Sequence, residues 1–224
     1  MDLKIDHAPV TLREKCLERM RDAIITGHFA SGARLVERTL CDQLGVSRSV
    51  VREVIRHLQA EGLVDVLANK GPIVAELDWS TAHQIYEIRL LLEQSAVAAC
   101  AQTLTDDTVA RIRTAQVTLQ AAFATQDMAQ ILRASSQLYE TIFLAADHGI
   151  AWDIVQRLNG RISRLRAMTL RDNHRQTSGQ SRIGAICDAI CNDRDPELAK
   201  TRVAEHIQEV AAIARRVLHD ETGA

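Results

Sequence analysis

Three arginines stand four residues apart in the segment VSRSVVREVIRHLQAEGLV, which covers positions 46–64: Arg48, Arg52 and Arg56. On an α-helix this spacing places them along one edge, each advanced by roughly 40° from the last. Guanidinium groups presented in this way suit phosphate oxygens and the acceptor atoms of guanine. Ser47 and Ser49 are short, so the backbone there can approach a nucleic acid closely and their hydroxyls can donate to phosphate. The pattern indicates a helix that contacts DNA, whereas the alternative is a solvated surface face.

The residues around the arginines predict how that helix is positioned. Gly45 suits the left-handed residue that ends a short preceding helix, and Ser47 is a typical N-cap for the next one. Beside the arginine edge the helix carries an apolar stripe that would face a core, formed by Val51, Val54, Ile55 and Leu58. The sequence therefore predicts two helices joined by a sharp turn.

The flanking segments complete a small domain. Residues 10–27 have apolar side chains at helical spacing and predict a first helix. After the arginine helix, LVDVL and GPIVAEL are short apolar runs separated by ANKG, which predicts a β-hairpin. The order helix, helix, turn, helix, hairpin predicts a winged helix-turn-helix DNA-binding domain over residues 1–77.

The remainder of the chain has a different pattern. Residues 78–224 contain long helical segments with cap residues between them, and they predict an all-α bundle of about six helices. RDNHRQTSGQ is interpreted as a polar link before a helix over residues 181–193, and Pro196 as a first-turn residue of the next helix. The predicted fold class is mainly α, with a winged helix-turn-helix followed by this bundle.

Composition and charge limit the functions that remain. The net charge is −2, and residues 1–77 hold 11 Lys and Arg against 11 Asp and Glu, so DNA affinity must come from local placement of charge. We find no catalytic motif, no run of about 18 apolar residues and no signal-peptide layout, which favours a cytoplasmic protein that is not an enzyme. The five cysteines include no C-x-x-C pair and are expected to be reduced thiols.

Residues 31–77, SGARLVERTLCDQLGVSRSVVREVIRHLQAEGLVDVLANKGPIVAEL, closely resemble the DNA-binding domain of GntR-family transcription regulators. The shared pattern is G-x-R-L, then LGVSR, VRE, EGLV and a final G-x-x-V. The resemblance implies DNA contacts from Arg38, Ser47, Arg48, Ser49 and Arg52, and from a wing tip formed by Asn69, Lys70 and Gly71. Arg34 either contacts phosphate or braces the domain, and Arg56 is at best a phosphate contact.

The second part of the chain resembles the FCD domain of the FadR subgroup. The similar segments are IYEIRLLLEQSAVAACA, residues 85–101, and ICDAICNDRDPELAKTRVAEHIQ, residues 186–208. Many FCD domains bind a divalent metal through an Asp and a His four residues apart and two later histidines. Here Ser135 and Tyr139 stand at the first two positions and only His206 matches a later one, unless His174 substitutes. The resemblance with these departures predicts no metal and no cofactor.

The space left by such a metal is expected to be a polar cavity that binds an organic effector directly. Arg89 lies in EIRLLLE on a helix that buries much of its surface, so it needs an anionic partner: Glu87, Glu93 or a ligand carboxylate. The candidate effector-binding residues are Arg89, Arg133, Ser135, Tyr139 and His206, with Arg161, Arg164 and Arg166 as further cations. For Tyr139 and His206, plain core packing is the alternative.

The resemblance implies a ligand-responsive transcription regulator, a repressor by analogy, that binds palindromic double-stranded operator DNA as a homodimer. A small organic-acid-like effector, such as a carboxylate, would release or alter the complex. The alternatives are a DNA-architecture protein without sequence preference, or an FCD regulator that still binds a metal through unrecognised ligands.

Overall fold

The computed structural model describes the backbone of residues 11–170 and 173–222, and their side chains apart from those of 173–178 and 220–222. The chain divides into two compact units, Met1–Glu76 and Leu77–Ala224. In the part of the chain described, the fold is mainly α, with one small two-stranded sheet. None of the described helices is long and apolar enough to cross a membrane.

The first unit is a winged helix-turn-helix, as predicted. Its elements are α1 (Leu12–Ile25), α2 (Glu37–Leu44), α3 (Arg48–Ala60), β1 (Val64–Leu67) and β2 (Gly71–Val74). Thr11 and Glu14 form a reciprocal capping box that starts α1 and satisfies two backbone donors of its first turn. The core of this unit is built from buried apolar side chains, including Leu17, Met20, Ile24, Leu40, Val51, Val54 and Leu58.

The hairpin is held in an antiparallel register with Val64 opposite Val74 and Leu67 opposite Gly71. A short segment before α2 pairs with its outer edge, since Leu35 N donates to Pro72 O at 2.9 Å and Val74 N to Ala33 O at 2.9 Å. The hairpin is therefore fixed to the body of the unit on one side, which leaves its turn to project.

The described residues of the second unit form a bundle of six helices: α4 (Trp79–Gln102), α5 (Asp106–Thr125), α6 (Met128–Ala145), α7 (Gly149–Thr169), α8 (Asn173–Cys191) and α9 (Pro196–Thr222). Asp78, Thr105 and Asp127 cap the first three through their side chains. α4 and α9 run antiparallel, because Gln94 Nε2 donates to Lys200 O at 3.3 Å and Arg215 lies over the Trp79 ring at 5.7 Å.

One sequence prediction in this unit is wrong. The interpretation of RDNHRQTSGQ as a link fails, because α8 begins at Asn173 and continues without interruption to Cys191. Helix propagation costs far less than nucleation, so a polar segment joined to an anchored apolar one can extend the same helix. The anchor here is the buried stretch that includes Ile186, Cys187 and Ile190.

Candidate DNA-binding surface and buried polar cluster

The start of α3 is built by two local devices. Gly45 has φ 65° and ψ 35°, the left-handed conformation that ends α2, and its N–H donates to Cys41 O at 2.9 Å. Ser47 then caps α3, since its Oγ accepts from Val50 N at 3.4 Å and lies 2.8 Å from Ser49 Oγ. The turn between the helices is thus fixed by Gly45 and Ser47, the two residues that were predicted to form it.

α3 presents one face to the core and the opposite face to solvent. Val51, Val54 and Leu58 are fully buried. Arg48 and Arg52 lie on the exposed side, with Ser47 and Ser49 exposed beside them. A helix anchored by its apolar stripe and exposed along its polar edge has the form that enters the major groove of DNA.

Arg52 has a partner that sequence reasoning missed. Its Nε lies 3.0 Å from Glu37 Oε1 and 2.9 Å from Glu37 Oε2, and 58 % of the Arg52 side chain remains exposed. Glu37 is the first residue of α2, fifteen positions earlier in the chain. The turn at Gly45 brings the two together, so no local spacing pattern could have indicated the contact.

The remaining predicted DNA contacts are also on the surface of the first unit. Arg38 is exposed on α2, and Asn69 and Lys70 are exposed at the hairpin turn. Gly71 closes that turn with φ 72°, a conformation that an L side chain rarely adopts. Arg34 has an exposed side chain, and its backbone pairs with Ile73 of β2. The backbone of Arg34 therefore supports the hairpin, while its side chain is available to phosphate.

A clamp between α1 and the end of α3 fixes the far end of the helix. Arg21 Nε donates to Glu61 Oε2 at 2.8 Å, and a second bond joins Arg21 Nη2 to the other oxygen. The Glu61 carboxylate raises the pKa of the Arg21 guanidinium, so the pair stays charged. The two-point contact holds α3 against α1 away from its exposed edge.

A buried polar cluster lies inside the second unit. Arg89 and Glu93 are each 1 % exposed, and Arg89 Nε donates to Glu93 Oε1 at 2.8 Å. Burial alone lowers the pKa of Arg89, but the Glu93 carboxylate more than offsets this and the net shift is upward. Of the three anionic partners considered for Arg89, Glu93 makes the contact, whereas Glu87 is exposed and faces His83 at 3.5 Å.

Two aromatic residues extend this cluster. The Arg89 guanidinium lies 5.7 Å from the centre of the Tyr86 ring, and that of Arg166 lies 5.1 Å from the centre of the Tyr139 ring. Burial, followed by the Glu93 carboxylate, raises the pKa of the Tyr139 hydroxyl, so Tyr139 stays protonated at neutral pH. Sequence reasoning had named Tyr139 and Arg166 but not Tyr86.

Three atoms of the cluster have unused hydrogen-bonding capacity. Within the described residues, Arg89 Nη2, Glu93 Oε2 and the Tyr139 hydroxyl are buried without a hydrogen bond of good geometry, although the Tyr139 hydroxyl is close enough to the Glu93 carboxylate to interact with it. Buried polar groups are normally paired with protein, water or ligand. The arrangement offers one donor, one acceptor and one hydroxyl that can do either.

The other residues predicted to bind an effector differ in how deeply they are buried. Ser135 and His206 are buried, at 6 % and 3 % exposure. Arg133 is exposed and lines a surface groove between α5 and α6, apart from the buried cluster, and its role in effector binding stays a prediction. Its position on α6 is two residues from Ser135, and side chains two apart do not share a helix face. The His174 side chain lies outside the described residues.

Among the described side chains, no group of three or more His, Cys, Asp or Glu residues is arranged to hold a metal ion. Three cysteines are buried in the bundle core, and burial raises the pKa of Cys100 and of Cys187 to about 12 each. Such thiols stay protonated at neutral pH, and a metal binds thiolates. The absence of a metal, like the absence of any cofactor, stays a prediction.

Each of the two units matches a known protein family. Residues 12–74 match the family model described as bacterial regulatory proteins, gntR family, and residues 84–209 match the FCD domain. The Nta operon transcriptional regulator of Aminobacter aminovorans is 40 % identical over 89 residues, which is 40 % of this chain and only 42 % of that protein. An uncharacterized HTH-type regulator of Bacillus subtilis, YdhC, is 23 % identical over 98 % of this chain and 97 % of its own.

A solved structure has the same fold along most of the chain. E. coli McbR/YncC superposes with a TM-score of 0.75 at 23 % identity, covering 93 % of this chain and 99 % of that one. An exposed recognition helix, a projecting hairpin and an all-α second unit define a winged helix-turn-helix transcription regulator. The chain belongs to the GntR family of bacterial regulators, and its second domain is an FCD domain. It is therefore a transcription regulator and not an enzyme.

Proposed function

We propose that the protein is a repressor that binds a palindromic operator as a homodimer and that a small organic acid weakens the complex. The observation that carries the DNA-binding part is the exposed edge of α3, where Arg48 and Arg52 lie beside the hydroxyl groups of Ser47 and Ser49. A bidentate arginine distinguishes guanine from other bases. Arg38 and the hairpin turn at Asn69 and Lys70 then supply phosphate and minor-groove contacts.

A homodimer follows from the size of this surface. One recognition helix reads only a few base pairs, and a two-fold dimer doubles the contact through two half-sites about one helical turn apart. An exposed apolar surface on the second unit supports this proposal. It consists of Ile88 and Leu91 on α4 with Ile150 and Ile154 on α7, and Leu91 and Ile150 are 69 % and 82 % exposed.

The two helices that carry these residues contact each other. Ser95 Oγ lies 3.0 Å from His148 Nε2, which joins α4 to the start of α7. Leu91 and Ile88 follow one and two turns back along α4, and Ile150 and Ile154 follow along α7. Large exposed aliphatic groups on two helices that contact each other suit an interface between copies, because dimer interfaces are more apolar than the rest of the surface.

The proposed effector site is the buried cluster around Arg89. A ligand there must offer an acceptor to Arg89 Nη2 and a donor to Glu93 Oε2, with the Tyr139 hydroxyl available to either. A small hydroxy acid carries both, through its carboxylate and its hydroxyl. A plain aliphatic acid of equal length lacks the donor and would leave Glu93 Oε2 unpaired, which costs affinity.

Operator binding is tested by selecting duplexes from a library with a randomised centre of about 20 bp, which spans two half-sites. Enrichment of a palindrome supports the proposal. Enrichment of no sequence, with affinity that depends only on salt, favours a DNA-architecture protein instead.

The effector is tested by native mass spectrometry of the purified protein, followed by titration with hydroxy acids and matched plain acids. The expected result is a metal-free dimer stabilised by a hydroxy acid, with the effect lost in Tyr139→Phe. A dimer with one zinc or nickel ion per subunit would contradict the direct-binding proposal and point to His206 and His174 as ligands.

A further inference from the structure

The contact between Glu37 and Arg52 has an uncommon form. Both carboxylate oxygens accept from the same atom, Arg52 Nε, at 2.9 and 3.0 Å. An arginine has five N–H donors, so the four protons on Nη1 and Nη2 are not used by this carboxylate. The guanidinium is thus held from one side while its outer end stays available to another acceptor.

Stability does not account for this pair. The side chains are 58 % and 32 % exposed, and ion pairs between exposed groups add little to folding free energy in water. A carboxylate at a surface that meets phosphates would by itself oppose DNA binding. The position of Glu37 therefore indicates a role other than increasing the affinity for DNA.

We propose that Glu37 is a positioning residue for base recognition. It holds Nε of Arg52, so that the Nη1 and Nη2 edge points away from α2 toward a base in the major groove. Without Glu37, the long arginine side chain would turn to the nearest phosphate, which carries no sequence information. The carboxylate thus lowers the affinity for DNA of any sequence and increases the discrimination between sequences. The inference rests on the proposed role of Arg52 in DNA binding.

The pair should strengthen when the surface meets DNA. In free solution, water screens the attraction, but the groove excludes water around both side chains and lowers the local dielectric constant. Glu37 then opposes movement of the guanidinium toward phosphate at the moment when that movement would otherwise be favoured. A glutamine at the same position keeps the size of the side chain and one acceptor oxygen, but it removes the negative charge that attracts the guanidinium.

Two simpler roles give different results. If Glu37 only repels DNA, its removal raises the affinity for every sequence equally. If it only supports the packing of α2 on α3, its removal lowers the melting temperature and weakens recognition at all base positions together. A positioning role instead confines the change to the base pairs that Arg52 reads.

The test uses the full chain and duplexes selected from the randomised library by the wild-type protein. The variants are Glu37→Gln, Arg52→Ala, the double variant and Asp42→Asn. Asp42 is the matched control, because it is an exposed acid on the same helix and has no ion pair among the described residues. Fluorescence anisotropy gives each affinity for the selected duplex, for a scrambled duplex and for single-base changes.

We expect Glu37→Gln to lower the ratio of selected to scrambled affinity about tenfold, within the range for loss of one bidentate base contact. The loss should fall at the positions that Arg52→Ala relaxes, and the double variant should match Arg52→Ala there. Asp42→Asn should leave the ratio unchanged, and the melting temperature of Glu37→Gln should equal that of the wild type.

The inference is overturned if Glu37→Gln behaves like Asp42→Asn, or if it weakens all positions evenly with a lower melting temperature. These outcomes leave the proposed function intact, since wild type and Arg52→Ala would still differ. If the wild type selects no sequence at all, the proposed function fails and the inference fails with it.

Discussion

Arg89 and Glu93 form a fully buried ion pair one turn apart on α4, with Arg89 Nε 2.8 Å from Glu93 Oε1. Such a pair stabilises a fold only relative to a state in which one charge is left alone. The buried Tyr86 and Tyr139 rings lie near the pair, so water does not solvate its charges well. Each charge is therefore stabilised by the opposite charge and by any ligand that enters.

The first prediction concerns this dependence. Arg89→Leu leaves the Glu93 carboxylate buried and unpaired and should lower the free energy of unfolding by about 3–5 kcal/mol. The double variant Arg89→Leu, Glu93→Leu should recover at least half of that loss, because neither charge remains. Urea denaturation measures both. The exposed pair His83 and Glu87, also four residues apart on α4, is the control, and its disruption should change stability by less than about 0.5 kcal/mol. Equal losses in the single and double variants would show that volume, not charge, dominates.

The second prediction concerns alkaline pH. The pKa of Cys187 is raised to about 12 by burial, above the value of about 8.5 expected in the unfolded chain. The thiol therefore has no effect on stability below pH 8 and destabilises the fold as the pH rises toward 12, because the unfolded chain loses its proton first. The expected slope is about 1.4 kcal/mol per pH unit for this group.

Cys187→Ala should reduce that slope between about pH 9 and pH 11 in urea denaturation. Val97→Ala is the control, since it truncates a buried side chain of the same unit without removing a thiol. It should lower the free energy of unfolding equally at every pH. An unchanged slope in Cys187→Ala would mean that other groups control the alkaline behaviour.

The third prediction separates base contacts from phosphate contacts on α3. Arg48→Ala and Arg52→Ala should each cost about 1–3 kcal/mol on a selected operator and little on a scrambled duplex. Arg56→Ala, farther along the same exposed edge, should weaken both duplexes equally and reduce the salt slope by about one unit. Anisotropy titrations at several salt concentrations distinguish the two patterns. Selected-operator affinity that is unchanged in Arg48→Ala would remove that residue from the set of base contacts.

The fourth prediction tests the apolar surface of α4 and α7. Leu91→Asp should raise the dimer dissociation constant at least about tenfold, equal to 1.4 kcal/mol, because a carboxylate would be buried in the interface. Sedimentation equilibrium measures it. Val117→Asp is the control, since Val117 is similarly exposed at 62 % but lies on α5, outside this surface. Equal behaviour of the two variants would place the dimer interface elsewhere.

Local signals in the sequence were sufficient for the first unit. Gly45 adopts the left-handed conformation that ends α2, and the Ser47 side chain caps α3. Both are local properties, so the turn and the start of α3 were predictable without knowledge of the fold. The choice of Glu93 over Glu87 as the partner of Arg89 was also available, since residues four apart on a helix face each other and residues two apart do not.

Contacts between distant segments were not predictable in the same way. The contact of Arg52 with Glu37 depends on the angle between two helices, and the start of α8 at Asn173 depends on an anchor farther along that helix. Which of the arginines near the expected effector pocket point inward could not be predicted either, and Arg133 lies at a surface groove between α5 and α6. Tertiary packing decided each of these cases.

The antiparallel pairing of α4 with α9 bears on how the protein is made. Gln94 on α4 and Lys200 on α9 are 106 positions apart in the chain, so α4 cannot pack against α9 until nearly the whole chain has been synthesised. The winged helix-turn-helix, whose described elements run from Leu12 to Val74, forms a compact unit of its own and can fold well before that. During each round of synthesis, the N-terminal unit should therefore be folded before the helical bundle is complete.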